Sequence, residues 1–126
     1  MSQRLLLDTH PLLWWLSAEA IAGEAGDAIA DPSSVVAVSA ASIWEITIKR
    51  QIGKLRFEGS PADEVRAAGF EHLPITAAHA ELAGDLPLHH RDPFDRMLVA
   101  QAQAEGLTLV SGDPAFDLYD VRLLRC

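Results

Sequence analysis

Three short apolar runs constrain this chain more than anything else in it: "RLLL" at residues 4–7, "SVVAVS" at 34–39 and "LTLVS" at 107–111. Each is the length of a strand, and none keeps the apolar–polar alternation of a strand with one face in water. Between them lie segments with helical punctuation. "PLLWWLSA" has Pro11 suited to its first turn, "GEAGDAIA" stops at Asp31-Pro32, and "ASIWEITIKRQ" ends in a basic turn followed by Gly53. Strands alternating with helices predict an α/β fold with a central parallel sheet flanked by helices on both faces.

The rest of the chain reads less sharply but in the same style. "SPADEVRAAG" predicts a short helix opened by Ser60 and Pro61, "EHLPIT" a short strand and "AAHAELAGDL" a helix. "HRDPFDRMLVAQA" (90–102) predicts a helix running to about Gly106, and "VRLL" (121–124) a last strand. With no repeats, low-complexity tracts or long linkers, residues 1–126 are expected to form one domain, long enough to bury a core of its own.

Composition excludes some functions. A net charge of −8 is wrong for a protein that coats nucleic acid by neutralising phosphates. No apolar run approaches the roughly 18–20 residues of a membrane span, and Asp8, His10 and Pro11 interrupt the N-terminal apolar patch, so neither a membrane protein nor a signal segment is expected. Cys126 is the single cysteine and can form no internal disulfide, which fits a cytoplasmic setting.

The acidic residues carry the functional signal. Asp8 directly follows the first apolar run and Asp113 lies two residues past "LTLVS". In an open parallel sheet such positions line the ligand crevice, although an Asp opening a turn or capping a helix has the same address. Glu45 has Ala41, Ile48 and Ile52 beside it on the helical wheel, with Ser42 and Lys49 on the other flank. It is either paired with Lys49 at i+4 or turned toward a site. Asp92, Pro93 and Asp95 make a good helix start, which accounts for Asp92 as the cap. It does not account for Asp95, whose neighbours at i+3, i+4 and i+7 are Leu98, Val99 and Ala102, with Arg96, Gln103 and Glu105 mostly elsewhere on the wheel. Burying an unpaired carboxylate costs several kcal/mol or forces protonation, so a functional reason is preferred there. Four converging acids would repel unless a cation sat among them, and hard oxygens without a cysteine or histidine cluster suit Mg²⁺ or Mn²⁺ rather than zinc. Phosphodiester hydrolysis is the chemistry such ions serve.

In this order, "LLLDTH", "SAASIWEITIK", "HRDPFDRMLVAQA" and "LTLVSGDPAF" resemble the four acidic motifs of the PIN-domain ribonucleases, and most nearly the VapC toxins of toxin–antitoxin pairs. The resemblance spans almost the whole chain. It implies a PIN-like fold, an acidic quartet of Asp8, Glu45, Asp95 and Asp113 holding Mg²⁺ or Mn²⁺, and hydroxyl support from Thr9 and Ser111. Asp92 would be a helix-start residue within reach of the pocket. It further implies cleavage of RNA, a homodimer, and inhibition by a cognate antitoxin. Gly112 departs from the family pattern, in which many members carry a larger or charged residue.

Other features have plainer expectations. Trp14 and Trp15 are about 100° apart on a helix, so both cannot face one core; core packing or a half-exposed ring is expected of each ahead of a partner contact by one of them. Trp44 is expected in the core. His89 and His90 read as a loop pair, or secondarily as a contact for RNA or a partner, and not as metal ligands, since adjacent side chains rarely chelate one ion; His10 is given no catalytic role. "KRQIGKLR" (49–56) holds four of the ten Lys and Arg residues and is equally a solvated helix end or a rail for RNA backbone. Two other functions stand beside the ribonuclease: a catalytically silent PIN-like binding module, and a small-molecule phosphatase or phospho-receiver. The latter would need a Lys after a late strand, where "VSGDPAFDLYDVRLL" offers Arg122 alone.

Overall fold

The computed structural model describes residues 3–126. In chain order it runs β1 (Arg4–Leu7), α1 (Thr9–Leu16), α2 (Gly23–Ala30), β2 (Val35–Ser39), α3 (Ala40–Gln51), α4 (Pro61–Ala67) and β3 (Glu71–Leu73). It continues with α5 (Ala77–Asp85), α6 (Pro93–Glu105), β4 (Thr108–Ser111), a 3₁₀ turn (Pro114–Leu118) and β5 (Leu123–Arg125). All the strands pair in parallel, in the order β3-β2-β1-β4-β5.

β1 lies in the middle, and its three leucines are fully buried. They divide by the two-residue period of a strand. Leu5 and Leu7 join Val36, Val38 and Val110 under Leu12, Ala28, Ile46 and Val65 of α1 to α4. Leu6 joins Ala37 and Leu109 under Ala83, Leu98, Val99 and Ala102 of α5 and α6. Both faces of the sheet are therefore covered, which is why the run is apolar without a break. No helix among the described residues is long and apolar enough to cross a membrane.

The helix ends follow the punctuation. Ser39 caps α3, Ser60 caps α4 ahead of Pro61, and Asp92 caps α6 ahead of Pro93. Gly106 takes the left-handed conformation that stops α6. Two things differ from expectation. The 3₁₀ turn after Asp113 has no apolar period to announce it. Trp44, expected inside, is 61% exposed. The buried stripe of α3 is Ala41, Ser42, Glu45 and Ile46, so Trp44 falls off its edge and meets Phe94 edge to face at 5.4 Å. Trp14 and Trp15 are both half-buried; Trp15 packs on the core beside Phe70, and Trp14 lies near the His10 ring.

The strand order determines where a site can form. The chain steps outward from β1 to β2 to β3, then returns to lay β4 on the opposite side of β1. The connections after β1 and β4 thus leave in opposite directions, and the gap between the carboxyl ends of these strands is the switch point where open α/β sheets bind ligands.

Candidate active site

Asp8 and Ser111 stand at that gap. The Asp8 N–H still belongs to the sheet, donating to Val110 O at 2.9 Å. Its carboxylate is buried: Oδ1 accepts from the Thr9 N–H at 2.8 Å and Oδ2 from the Ser111 hydroxyl at 2.7 Å. Each oxygen keeps a lone pair for a further partner. Burial raises the Asp8 pKa and the Glu45 charge adds to it, while the two hydrogen bonds and His10 pull the other way.

Thr9 ties Asp8 to α3. Its hydroxyl donates to Glu45 Oε1 at 2.6 Å and lies 3.2 Å from Ser42 Oγ. Glu45 Oε2 meets Lys49 Nζ at 2.9 Å. Both readings of Glu45 are therefore present together: it is turned inward and it is paired. The carboxylate holds the Lys49 pKa above its usual value.

Asp95 comes from the first turn of α6. Asp92 accepts from the Phe94 N–H at 2.9 Å and the Asp95 N–H at 3.4 Å. The Asp95 side chain is only 14% exposed, and Leu98, Val99 and Ala102 on its face are buried. Its pKa is pushed up to about 7, by burial first and then by the charges of Asp8 and Asp92, against the hydrogen bond and charge of His90. Asp113 is exposed at the start of the 3₁₀ turn. Its backbone N–H donates to Ser111 Oγ at 3.0 Å, so the hydroxyl that donates to the Asp8 carboxylate also anchors the Asp113 main chain, while Asp113 Oδ1 accepts from the Ala115 N–H at 2.9 Å.

These residues form two connected groups. Asp8, Thr9, Glu45 and Ser111 make a buried, hydrogen-bonded base. Above it, donor atoms of His90, Asp95 and Asp113 all lie within 4.8 Å of one another. Ser111 bridges the groups, and Asp8 and Asp95 feel each other's charge. Acids this crowded, two of them with raised pKa values, are in the electrostatic condition a divalent cation relieves, and their oxygens are the donors Mg²⁺ and Mn²⁺ take. Glu45 is set apart from the rim, with a hydroxyl and an ammonium already on its oxygens.

His90 was not legible as a site residue. Its partner is five positions away across a non-helical loop, where no periodicity speaks. Arg96, which the helical wheel sets mostly off the face of Asp95, is buried at 8% exposure. Its Nη1 donates to Pro87 O at 3.0 Å, and its Nη2 to Ala83 O at 2.8 Å and Leu86 O at 3.0 Å. At Gly112 a Cβ would stand 2.9 Å from the Cys126 carbonyl oxygen, so a larger residue there would require a local shift. The basic run divides. Lys49 serves Glu45, Arg50 Nη1 donates to Phe57 O and Gly59 O at 3.1 and 2.7 Å, and Lys54 and Arg56 are exposed.

Fold and site together define a class: an open parallel α/β sheet with acids and hydroxyls lining its switch-point crevice. The chain belongs to the PIN domain family, whose model matches residues 5–122. No curated protein matches the sequence significantly. Among solved structures, it is similar to a chain of VapBC2 from Rickettsia felis, bound to a DNA fragment from its promoter, at 15% identity, TM-score 0.70 and 98% coverage of each chain. It is also similar to chains of DNA-bound VapBC from Salmonella typhimurium (15% identity, TM-score 0.68, 98% of each) and of VapBC-5 from Mycobacterium tuberculosis (18% identity, TM-score 0.63, 98% of each). At these identities the likeness is one of fold.

Proposed function

We propose that this protein is a divalent-metal-dependent endoribonuclease and the toxin of a toxin–antitoxin pair. What supports this reading is the grouping of Asp95 and Asp113 with His90, next to a hydrogen-bonded base of Asp8, Thr9, Glu45 and Ser111. Asp8, Asp95 and Asp113 would hold Mg²⁺ or Mn²⁺, with Glu45 contributing through water. When bound, the ion lowers the pKa of water and offsets charge on a scissile phosphate.

The chain's own residues do the rest. Ser111 holds Asp8 with one oxygen lone pair free toward the rim, and Thr9 fixes Glu45 against α3. Asp113, exposed at the rim, stands where the substrate backbone enters, and Asp92 keeps the start of α6 in register. Lys49 brings a positive charge felt at Asp92 and Asp95, a counterweight to an acidic cleft that must admit a polyanion.

Membership of the PIN family and the likeness to VapBC complexes support a toxin with a cognate antitoxin partner. A homodimer in the cytoplasm belongs to the same proposal. A silent binding module is less well supported, because nothing in such a role calls for the acids to converge. The test is RNA cleavage with Mg²⁺ or Mn²⁺ by the purified protein and its Asp95→Asn variant. The variant keeps the shape and loses the ligand charge. It is expected to lose activity on the order of 100-fold or more, the scale on which a charge partner of the transition state is felt, with unchanged circular dichroism. Undiminished cleavage by a folded Asp95→Asn protein overturns the mechanism.

A further inference from the structure

Resting on that reading, we propose that His90 is a nitrogen ligand of the divalent ion, and that it tilts the site toward Mn²⁺ over Mg²⁺. His90 was the residue of the rim with no ligand role on sequence grounds, yet the structure treats it as a placed group. Its backbone N–H donates to Tyr119 Oη at 2.9 Å, and Tyr119 Oη in turn donates to Pro87 O at 3.0 Å. The Arg96 guanidinium grips the same loop from α6 through the carbonyls of Ala83, Leu86 and Pro87. Tyr119 and Arg96 are both more than nine-tenths buried. Two buried side chains from different elements therefore pin the loop that carries the imidazole.

The pinned loop delivers Nε2 to within 2.6 Å of Asp95 Oδ2, with the His90 side chain 27% exposed. A His90 ring nitrogen, an Asp95 oxygen and an Asp113 oxygen all lie within 4.8 Å of one another. Around an octahedral ion with bonds of about 2.1 Å, adjacent ligand atoms are about 3 Å apart and opposite ones about 4.2 Å. The 4.8 Å bound is slightly wider than that span, so side-chain rotation has to draw the three donors inward before they share one ion. The shared ion would enter where the imidazole and the carboxylate now meet.

Ligand chemistry then sets the preference. Mg²⁺ takes oxygen and gives up water reluctantly, whereas imidazole suits first-row transition ions. Replacing one oxygen or water by Nε2 favours Mn²⁺ within the pair that the carboxylates admit. His89 has no such position: its ring meets Tyr119 edge to face at 5.2 Å.

The experiment is Mn²⁺ binding to the full-length protein, followed by electron paramagnetic resonance, with pulsed spectra read for ¹⁴N coupling. Mg²⁺ affinity is measured by competition. The wild type and His89→Gln are expected to show coupling from a directly bound imidazole. In His90→Gln the coupling disappears and Mn²⁺ binds about 10-fold more weakly or worse, while Mg²⁺ affinity moves much less. Asp113→Asn should weaken Mn²⁺ binding and keep the coupling, a control for a mutation that merely loosens the rim. Mn²⁺ bound without ¹⁴N coupling, or equal losses for both ions in His90→Gln, overturns the proposal. Either result leaves the carboxylate nuclease standing so long as binding is lost in Asp95→Asn. Failure of the wild type to bind Mn²⁺ at all overturns both.

Discussion

Asp95 sits between two environments, with the N–H groups of a helix start behind it and buried Leu98, Val99 and Ala102 along its face. Its carboxyl pKa of about 7 in the fold lies above the ordinary 3.8. The folded state thus binds that proton more tightly than the unfolded chain. The stability this confers is full below about pH 4 and is lost as pH rises through about 7; Asp8 is shifted in the same direction. In chelator, the melting temperature is expected to fall between about pH 5 and 8, less steeply in Asp95→Asn, and Mn²⁺ should restore it at the alkaline end. A wild-type profile no steeper than that of the variant contradicts this. Asp95 was legible because a helical wheel shows which residues share its face. Glu45 was legible only as an ambiguity, since the i+4 spacing to Lys49 exists whether or not the other oxygen meets Thr9. His90 was hidden because Tyr119, far away in sequence, sets its position.

At the scale of elements, the link between α5 and α6 matters more than its length suggests. Arg96 closes the last turn of α5 and the loop after it, satisfying carbonyls that would otherwise be buried without partners. Arg96→Met keeps much of the volume and removes the donors. It is expected to cost about 2–4 kcal/mol in urea denaturation, the scale of stranding buried polar groups, and to weaken Mn²⁺ binding by freeing the loop. A variant as stable as the wild type contradicts this account of the loop. By contrast Trp44, exposed on α3 against Phe94, should cost no more than about 1.5 kcal/mol on replacement by Ala. Most elements were readable because strand runs, capping residues and Gly53 or Gly106 punctuate them locally. The 3₁₀ turn and the inward Arg96 were not, since a turn of five residues shows no period and a polar residue's direction depends on the partners waiting for it.

Over the whole molecule, the position of the site follows from the order of the sheet. That the sheet is parallel and covered on both faces was written in the alternation of short apolar runs with helical segments. That the chain returns to the far side of β1 was not, because strand order is decided by how the helices pack and leaves no mark on any one segment. The order puts Leu6 at the centre of the layer under α5 and α6, where Leu6→Ala is expected to cost about 2–5 kcal/mol in a denaturant melt. The net charge is −8, so the RNA proposed as substrate would need a basic approach. Lys54 and Arg56 are exposed and not committed to the fold as Lys49 and Arg50 are, which makes them the part of the basic run able to serve it. Replacing both with Gln should weaken RNA binding and flatten its salt dependence by roughly 0.7 in log–log slope per lost contact to a single strand; an unchanged slope removes the rail.

The central claim, that Asp8, Asp95 and Asp113 jointly hold one ion at the switch point, is tested most directly by anomalous diffraction from crystals soaked in Mn²⁺. The account predicts a strong peak at the rim, about 2.1–2.3 Å from a carboxylate oxygen of each of these residues or one bound water away. No peak there, or Mn²⁺ held elsewhere while the three carboxylates stay untouched, would contradict it.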